Sequence, residues 1–197
     1  MTDKKNGPWT VHSTRLGFEN PWLRVETSEV SHPDGSPGIY GVVRFANIAC
    51  GVLPIDEEGH TWLVGQHRFA LDAYSWELPE GGGAKEIDPA VSALRELKEE
   101  TGWHAEHILP LGKWHLSNSV TDEVAHGFLA WGLRAGEATP EPSEELALKR
   151  VSFATLVGMV RAGEISDAFT HLMVMSAVDM ARRGDVPEHI AGFLRDG

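Results

Sequence analysis

The stretch from Glu77 to Trp103 constrains this chain more than any other, because it joins Glu-Leu-Pro-Glu-Gly-Gly-Gly to a helix that carries a cluster of carboxylates. Three consecutive glycines can take backbone conformations that other residues avoid, and they leave N–H and C=O groups open to a ligand. Asp88-Pro89 marks a helix start. Asp accepts from the unpaired N–H groups of a first turn, and proline at the first position gives up an N–H that has no partner there. Gly102 suits the residue just past the helix end. These signals predict one helix over residues 89–101.

At about 100° per residue, Ala90, Ala93, Leu94, Leu97 and Thr101 share one side of that helix, while Glu96, Glu99 and Glu100 fall within a separate arc of roughly 100°. Like charges at this spacing destabilise a helix by about 0.2–0.5 kcal/mol per pair. A hard divalent cation with oxygen ligands would offset that repulsion, and a solvated acidic face is the plainer alternative. Arg95 directly precedes the cluster and the glycine tract lies upstream, which favours the cation.

Gly81 followed by Arg95-Glu96-Leu97-Lys98-Glu99-Glu100-Thr101-Gly102-Trp103 resembles the Nudix box, G-x5-E-x7-R-E-U-x-E-E-x-G-U, where U is a bulky apolar residue. The one departure is the first glutamate, whose place is taken by Ile87, with Glu86 just before it. Gln66-His67-Arg68, Trp76-Glu77-Leu78-Pro79, Thr121-Asp122-Glu123 and Gly163-Glu164-Ile165 with Thr170 are similar to the nucleotide-sugar and ADP-ribose pyrophosphatase branch. The proline that ADP-ribose pyrophosphatases carry past the box falls at Asn118, a departure that bears on the substrate and not on the reaction type.

The resemblance implies an α+β fold, an α/β/α sandwich around a mixed sheet, with a small N-terminal β-rich segment. It implies a metal site of Glu96, Glu99, Glu100 and the backbone carbonyl of Glu80, holding Mg²⁺ or Mn²⁺, with Arg95 orienting the glutamates. Arg68, Glu77 and Gly81 would meet the substrate, a small nucleoside diphosphate derivative. For Arg68, a surface ion pair with one of the many acids is an equal alternative to a phosphate contact; for Glu77, bracing the glycine tract competes with holding a base or ribose. The general base would come from a loop after the box, with Glu144 or Glu145 first and Glu123 second. The reaction would be hydrolysis of a pyrophosphate bond to a nucleoside monophosphate and a sugar phosphate. A nucleotide-binding sensor that no longer hydrolyses, with Ile87 as its trace, is the alternative.

The rest of the sequence sets the surroundings. Turn residues His32 to Gly38 separate strand-like runs at Trp22–Glu26 and Ile39–Phe45, so residues 1–46 read as a β-rich segment and residues 47–197 as the hydrolase domain. In the branch resembled, such a segment helps build a homodimer. Residues 1–10 read as loosely ordered, and further strands are expected at Asn47–Pro54, Thr61–Gln66, Ile108–Leu116, Gly127–Leu133 and Leu146–Phe153. Two helices, about 154–161 and 167–183, and a short docked one complete the pattern. A net charge of −12 argues against a nucleic-acid surface. No apolar run reaches membrane-spanning length, and the N-terminus has no apolar core after its lysines, so a cytoplasmic protein is expected. The single cysteine, Cys50, sits in an apolar run and reads as a buried side chain.

Overall fold

The computed structural model describes residues 3–139 and 145–195. They form two compact units: residues 3–47 with 115–124, and residues 48–114 with 125–139 and 145–195.

The first unit is an antiparallel meander of β1 (Lys4–Asn6), β2 (Trp9–Glu19), β3 (Leu23–Ser31) and β4 (Pro37–Phe45), in that spatial order. Lys4–Asn6 was expected to be loose, yet it pairs with Trp9–Val11 across a turn at Gly7, whose φ of 57° suits glycine. At the next turn Asn20 Oδ1 accepts from the N–H groups of Trp22 and Leu23, at 2.9 and 2.8 Å. The outer edge of β4 is covered by residues 119–122. Val43 N–H donates to Val120 O at 2.9 Å, Phe45 N–H to Asp122 Oδ1 at 2.9 Å, and Tyr40 Oη to Ser119 O at 2.6 Å. Covering an edge in this way removes a row of unpaired backbone groups.

The second unit holds two sheets. One has the order β8 (Glu80–Gly83), β5 (Ile48–Pro54), β10 (Ala125–Ala135), β9 (Trp103–Trp114), with β5 and β10 parallel and the outer pairs antiparallel. The other is antiparallel, β11 (Ala147–Ser152), β6 (His60–Arg68), β7 (Ala73–Glu77). Four helices follow the chain: α1 (Pro89–Thr101), α2 (Phe153–Ala162), α3 (Ala168–Arg183) and α4 (Glu188–Arg195).

Alternation along β5 explains the layering. Cys50 and Val52 pack with Ala93 and Leu97 of α1, and with Phe128 and Ala130 of β10. Gly51, between them, points the other way: a methyl there would lie 2.7 Å from Phe169 and 2.8 Å from Met173 of α3. Successive side chains on a strand face opposite sides, so α1 and α3 cover the two faces of the mixed sheet. The α/β/α sandwich is therefore present. Central strands buried on both faces read as continuous apolar runs, as Ile48 to Pro54 does.

Helix α1 begins and ends where its signals place it. Asp88 accepts from Ala90 N–H at 2.9 Å, and Gly102 takes a left-handed conformation, φ 77°. Gly102 also receives a neighbouring chain segment: Gly136 N–H donates to its carbonyl at 2.8 Å, and a methyl at Gly102 would stand 2.9 Å from Ala138 N. Gly102→Ala meets both the left-handed penalty, roughly 1–2 kcal/mol, and that backbone overlap. A fall in Tm of at least about 2–4 °C per kcal/mol lost is expected in a thermal melt. An unchanged Tm would show that neither constraint holds.

Candidate active site

The carboxylates of α1 do not form a solvated wall. Glu96 and Glu100 are buried, 8% and 5% exposed, and only Glu99 is partly open. They lie against β8. Glu80 N–H donates to Glu100 Oε2 at 3.1 Å, and a methyl on Gly81 would overlap the Glu96 carboxylate. The glycine tract is thus a strand, and Gly81 to Gly83 are absent from the residues with positive φ. Their smallness serves close approach and not an unusual conformation: at Gly83 a methyl would come within 2.7 Å of Ser92 Oγ and 2.9 Å of Cys50 Sγ. Cys50 is fully enclosed there, and burial pushes its thiol up to about 11, so it is no nucleophile.

Arg95 ties helix and strand together. Its guanidinium bonds Glu99, reaches Glu96 Oε1 at 2.6 Å and donates to the carbonyl of Gly82 at 2.8 Å. It offsets part of the repulsion among the carboxylates and holds the side chains of Glu96 and Glu99.

Across β8 lies a second charged group. Arg68, on β6, bonds Glu77 of β7 through Nε, at 3.0 and 3.1 Å, and through Nη2. An ion pair was one of the two roles weighed for Arg68; Glu77 braces Arg68, which is neither of the two roles weighed for Glu77. Arg68 Nη2 also stands 3.8 Å from Glu80 Oε1. Glu80 Oε2 is enclosed and has no hydrogen-bond partner among the described residues. Burial first, then the neighbouring carboxylates of Asp167 and Glu77, hold the Glu80 carboxyl well above the usual range. On the α1 side of β8, the all-oxygen donor set of Glu96, Glu99 and Glu100 is the chemistry a hard divalent cation fits.

Other expected residues fall elsewhere. Glu86 is exposed, and so is Ile87. Glu144 lies outside the described residues, and Glu145 is exposed. Glu123 belongs to the first unit, where burial and then Asp122 raise its pKa. Asp56, Glu58 and His60 place ligand atoms within 4.8 Å of one another, at the turn between β5 and β6. In that turn Asp56 accepts the N–H groups of Glu58 and His60, and Arg150 pairs with both acids, while His60 Nδ1 is buried with no hydrogen-bond partner among the described residues, 3.7 Å from Asp56 Oδ1 and from Glu58 Oε2. A cavity of about 600 Å³ in the first unit, lined by Trp9, Glu26, Tyr40 and Arg44 among others, shares no residue with the carboxylate cluster.

Two residues near the site had no role assigned from sequence. Asp167 caps α3 and bears electrostatically on Glu80 and Arg68. Thr170 accepts a hydrogen bond from Leu78 N–H. Their signals were an N-cap acid before a helix and a threonine inside a family-like run, neither of which reports a spatial neighbour.

The NUDIX domain matches residues 46–170, and the nucleoside diphosphate sugar hydrolase N-terminal domain matches residues 9–43. This chain belongs to the Nudix family. The Nudix hydrolase is 30% identical over 155 residues to an ADP-ribose pyrophosphatase of Bacillus subtilis, covering 78% of this chain and 83% of that one. It is 26% identical over 172 residues to the CMP-5'-(N-acetyl-N-hydroxy-3-aminopropyl)phosphonate hydrolase of Streptomyces rubellomurinus, covering 87% and 83%. Its fold matches the crystal structure of an ADP compounds hydrolase with a TM-score of 0.81 at 18% identity, over 93% of this chain and all of that one. The Nudix fold and its N-terminal strand-rich segment are as the sequence resemblance implied.

Proposed function

We propose that this Nudix hydrolase cleaves the pyrophosphate bond of a nucleoside diphosphate joined to a sugar or similar group, using a bound divalent cation. The observation that carries the reading is the gathering of Glu96, Glu99 and Glu100 against β8, tied by Arg95. Glu96, Glu99, Glu100 and the Glu80 carbonyl would hold Mg²⁺ or Mn²⁺, since hard cations prefer oxygen donors. When bound, the cation neutralises diphosphate oxygens and lowers the pKa of water.

The protein's own groups supply the rest. Arg95 orients Glu96 and Glu99. Arg68, held by Glu77, offers a positive fork to a substrate that must approach a chain of net charge −12. Gly81 keeps the strand flush, so that diphosphate and carboxylates share one space. Water attacks one phosphorus, the bridging P–O bond breaks to leave a nucleoside monophosphate and a sugar phosphate, and the water's proton passes to a glutamate. Glu145 or Glu144 is the first candidate for that base, with Glu123 second.

Relatives named for ADP-ribose and for a CMP-linked phosphonate support the linkage class and leave the attached group open. The test is a panel of ADP-ribose, nucleotide sugars, dinucleotides and CMP-linked phosphonates with Mg²⁺ or Mn²⁺, read by product release. One member cleaved in preference names the class. Tight nucleotide binding without cleavage anywhere in the panel would instead make the protein a sensor.

The enzyme is proposed to act as a homodimer through its N-terminal sheet, which leaves Leu16, Phe18, Trp22 and Ile39 exposed. Sedimentation equilibrium should give twice the chain mass, falling toward one on Phe18→Glu with Trp22→Glu; a wild-type monomer at micromolar concentration would rule this out. We propose a cytoplasmic location, where the lone cysteine, Cys50, would stay a buried free thiol. Cell fractionation decides it, and recovery of the native protein in a membrane or secreted fraction would contradict it.

A further inference from the structure

The geometry points to the first turn of α3 as a positioning device for the active site, acting through the hydroxyl of Thr170 on the Leu78 amide.

Strand β7 ends at Glu77 in the three-stranded sheet, and β8 begins at Glu80 in the mixed sheet. Only Leu78 and Pro79 carry the chain from one sheet to the other. Glu77, on one side of that crossover, fixes Arg68; Glu80, on the other, bonds Glu100. The relative placement of the arginine pair and the carboxylate cluster therefore depends on two residues.

Proline has no N–H, so Leu78 supplies the only backbone donor in the crossover. That donor meets Thr170 Oγ1 at 2.9 Å in a wholly buried setting, with both side chains 0% exposed. The Pro79 carbonyl is taken by Val52 N–H at 2.9 Å. Thr170 is itself held, because its own N–H donates to the cap residue Asp167 at 2.5 Å. Asp167 also lies close enough to Glu80 and Arg68 to act on the charge of both. A helix of the outer layer thus grips the hinge between the two halves of the site. Removing the acceptor leaves a buried N–H unpaired and frees the crossover to shift.

This inference rests on the proposed metal-dependent hydrolysis, because its effect is expected on the cation held by Glu80, Glu96, Glu99 and Glu100. Supporting groups of metal ligands characteristically change affinity or activity by about 10- to 100-fold when removed. The experiment uses the full chain and compares Thr170→Val, which keeps the shape, with Thr170→Ser, which keeps the hydroxyl. Mn²⁺ binding is measured by calorimetry, Leu78 amide exchange by NMR, and turnover on the best panel substrate against metal concentration. Thr170→Val is expected to weaken Mn²⁺ binding and raise the metal half-saturation by about 10-fold or more, with faster Leu78 exchange, while Thr170→Ser stays within about threefold of wild type. If Thr170→Val does not fold, Thr170→Ala is read in the same way. Mn²⁺ affinity within twofold of wild type in a folded valine or alanine variant overturns the inference and leaves the hydrolase reading intact. Wild-type protein that binds no Mn²⁺ and cleaves nothing overturns both.

Discussion

Glu99→Gln is expected to lower kcat by at least about 100-fold, with Tm nearly unchanged. A bound cation supplies several kcal/mol of charge stabilisation, and each 1.4 kcal/mol or so is tenfold in rate, so loss of one anionic ligand reaches that size. The stability term is small by comparison. Glu99 is partly exposed and its partner is Arg95 one helical turn away, a pairing worth about 0.3–0.5 kcal/mol. The two effects separate cleanly: turnover is read in a metal titration and stability in a melt. A variant that keeps wild-type turnover at saturating Mg²⁺ removes Glu99 from the metal set. One that loses activity only by unfolding shows that the residue matters for the fold instead.

Gly81→Ala is the second large effect, and its cause is different. The group a methyl would strike is the end of the Glu96 side chain, which is flexible, so the backbone of β8 has no need to move. The fold should survive, since φ at Gly81 is ordinary and alanine is tolerated there. The Glu96 carboxylate, however, must turn away from the strand, and with it the contact to Arg95 Nη2. Turnover should drop by about 100-fold for the same reason as above, with a half-saturating metal concentration raised at least tenfold. Thermal denaturation should change by no more than a few degrees. Wild-type kinetics in this variant would mean that Glu96 has room to hold metal without the bare strand beneath it.

What could be read from the sequence was local. Helix α1 was legible to the residue, because Asp88, Pro89 and Gly102 act within one turn of its ends. The arginine and the three glutamates were legible for a related reason, since a helix converts spacing directly into a shared face. Four features were not. The glycine tract reads as backbone free to take unusual conformations, because glycine is a poor strand former; only the pairing with β5 and the carboxylate of Glu96 explain why a strand there must be glycine. The burial of Glu96 and Glu100 was not legible, because nothing in the chain says that β8 will lie against them. Thr170 is 92 residues from Leu78, and no periodicity reports such a contact. Likewise, the loop 115–124 joins the N-terminal strands only through long-range bonds such as Phe45 to Asp122.

The central claim is that the carboxylates gathered by α1 and β8 serve metal-assisted hydrolysis of a diphosphate bond. The most direct test is ³¹P NMR of the preferred nucleotide substrate with wild-type enzyme, in Mg²⁺ and again in excess chelator. With Mg²⁺, the pyrophosphate resonances should give way to two phosphomonoester signals, one from the nucleoside monophosphate and one from the released sugar phosphate; with chelator they should persist. Pyrophosphate cleavage at the same rate in chelator, or bound substrate whose resonances never change in Mg²⁺, would contradict the account.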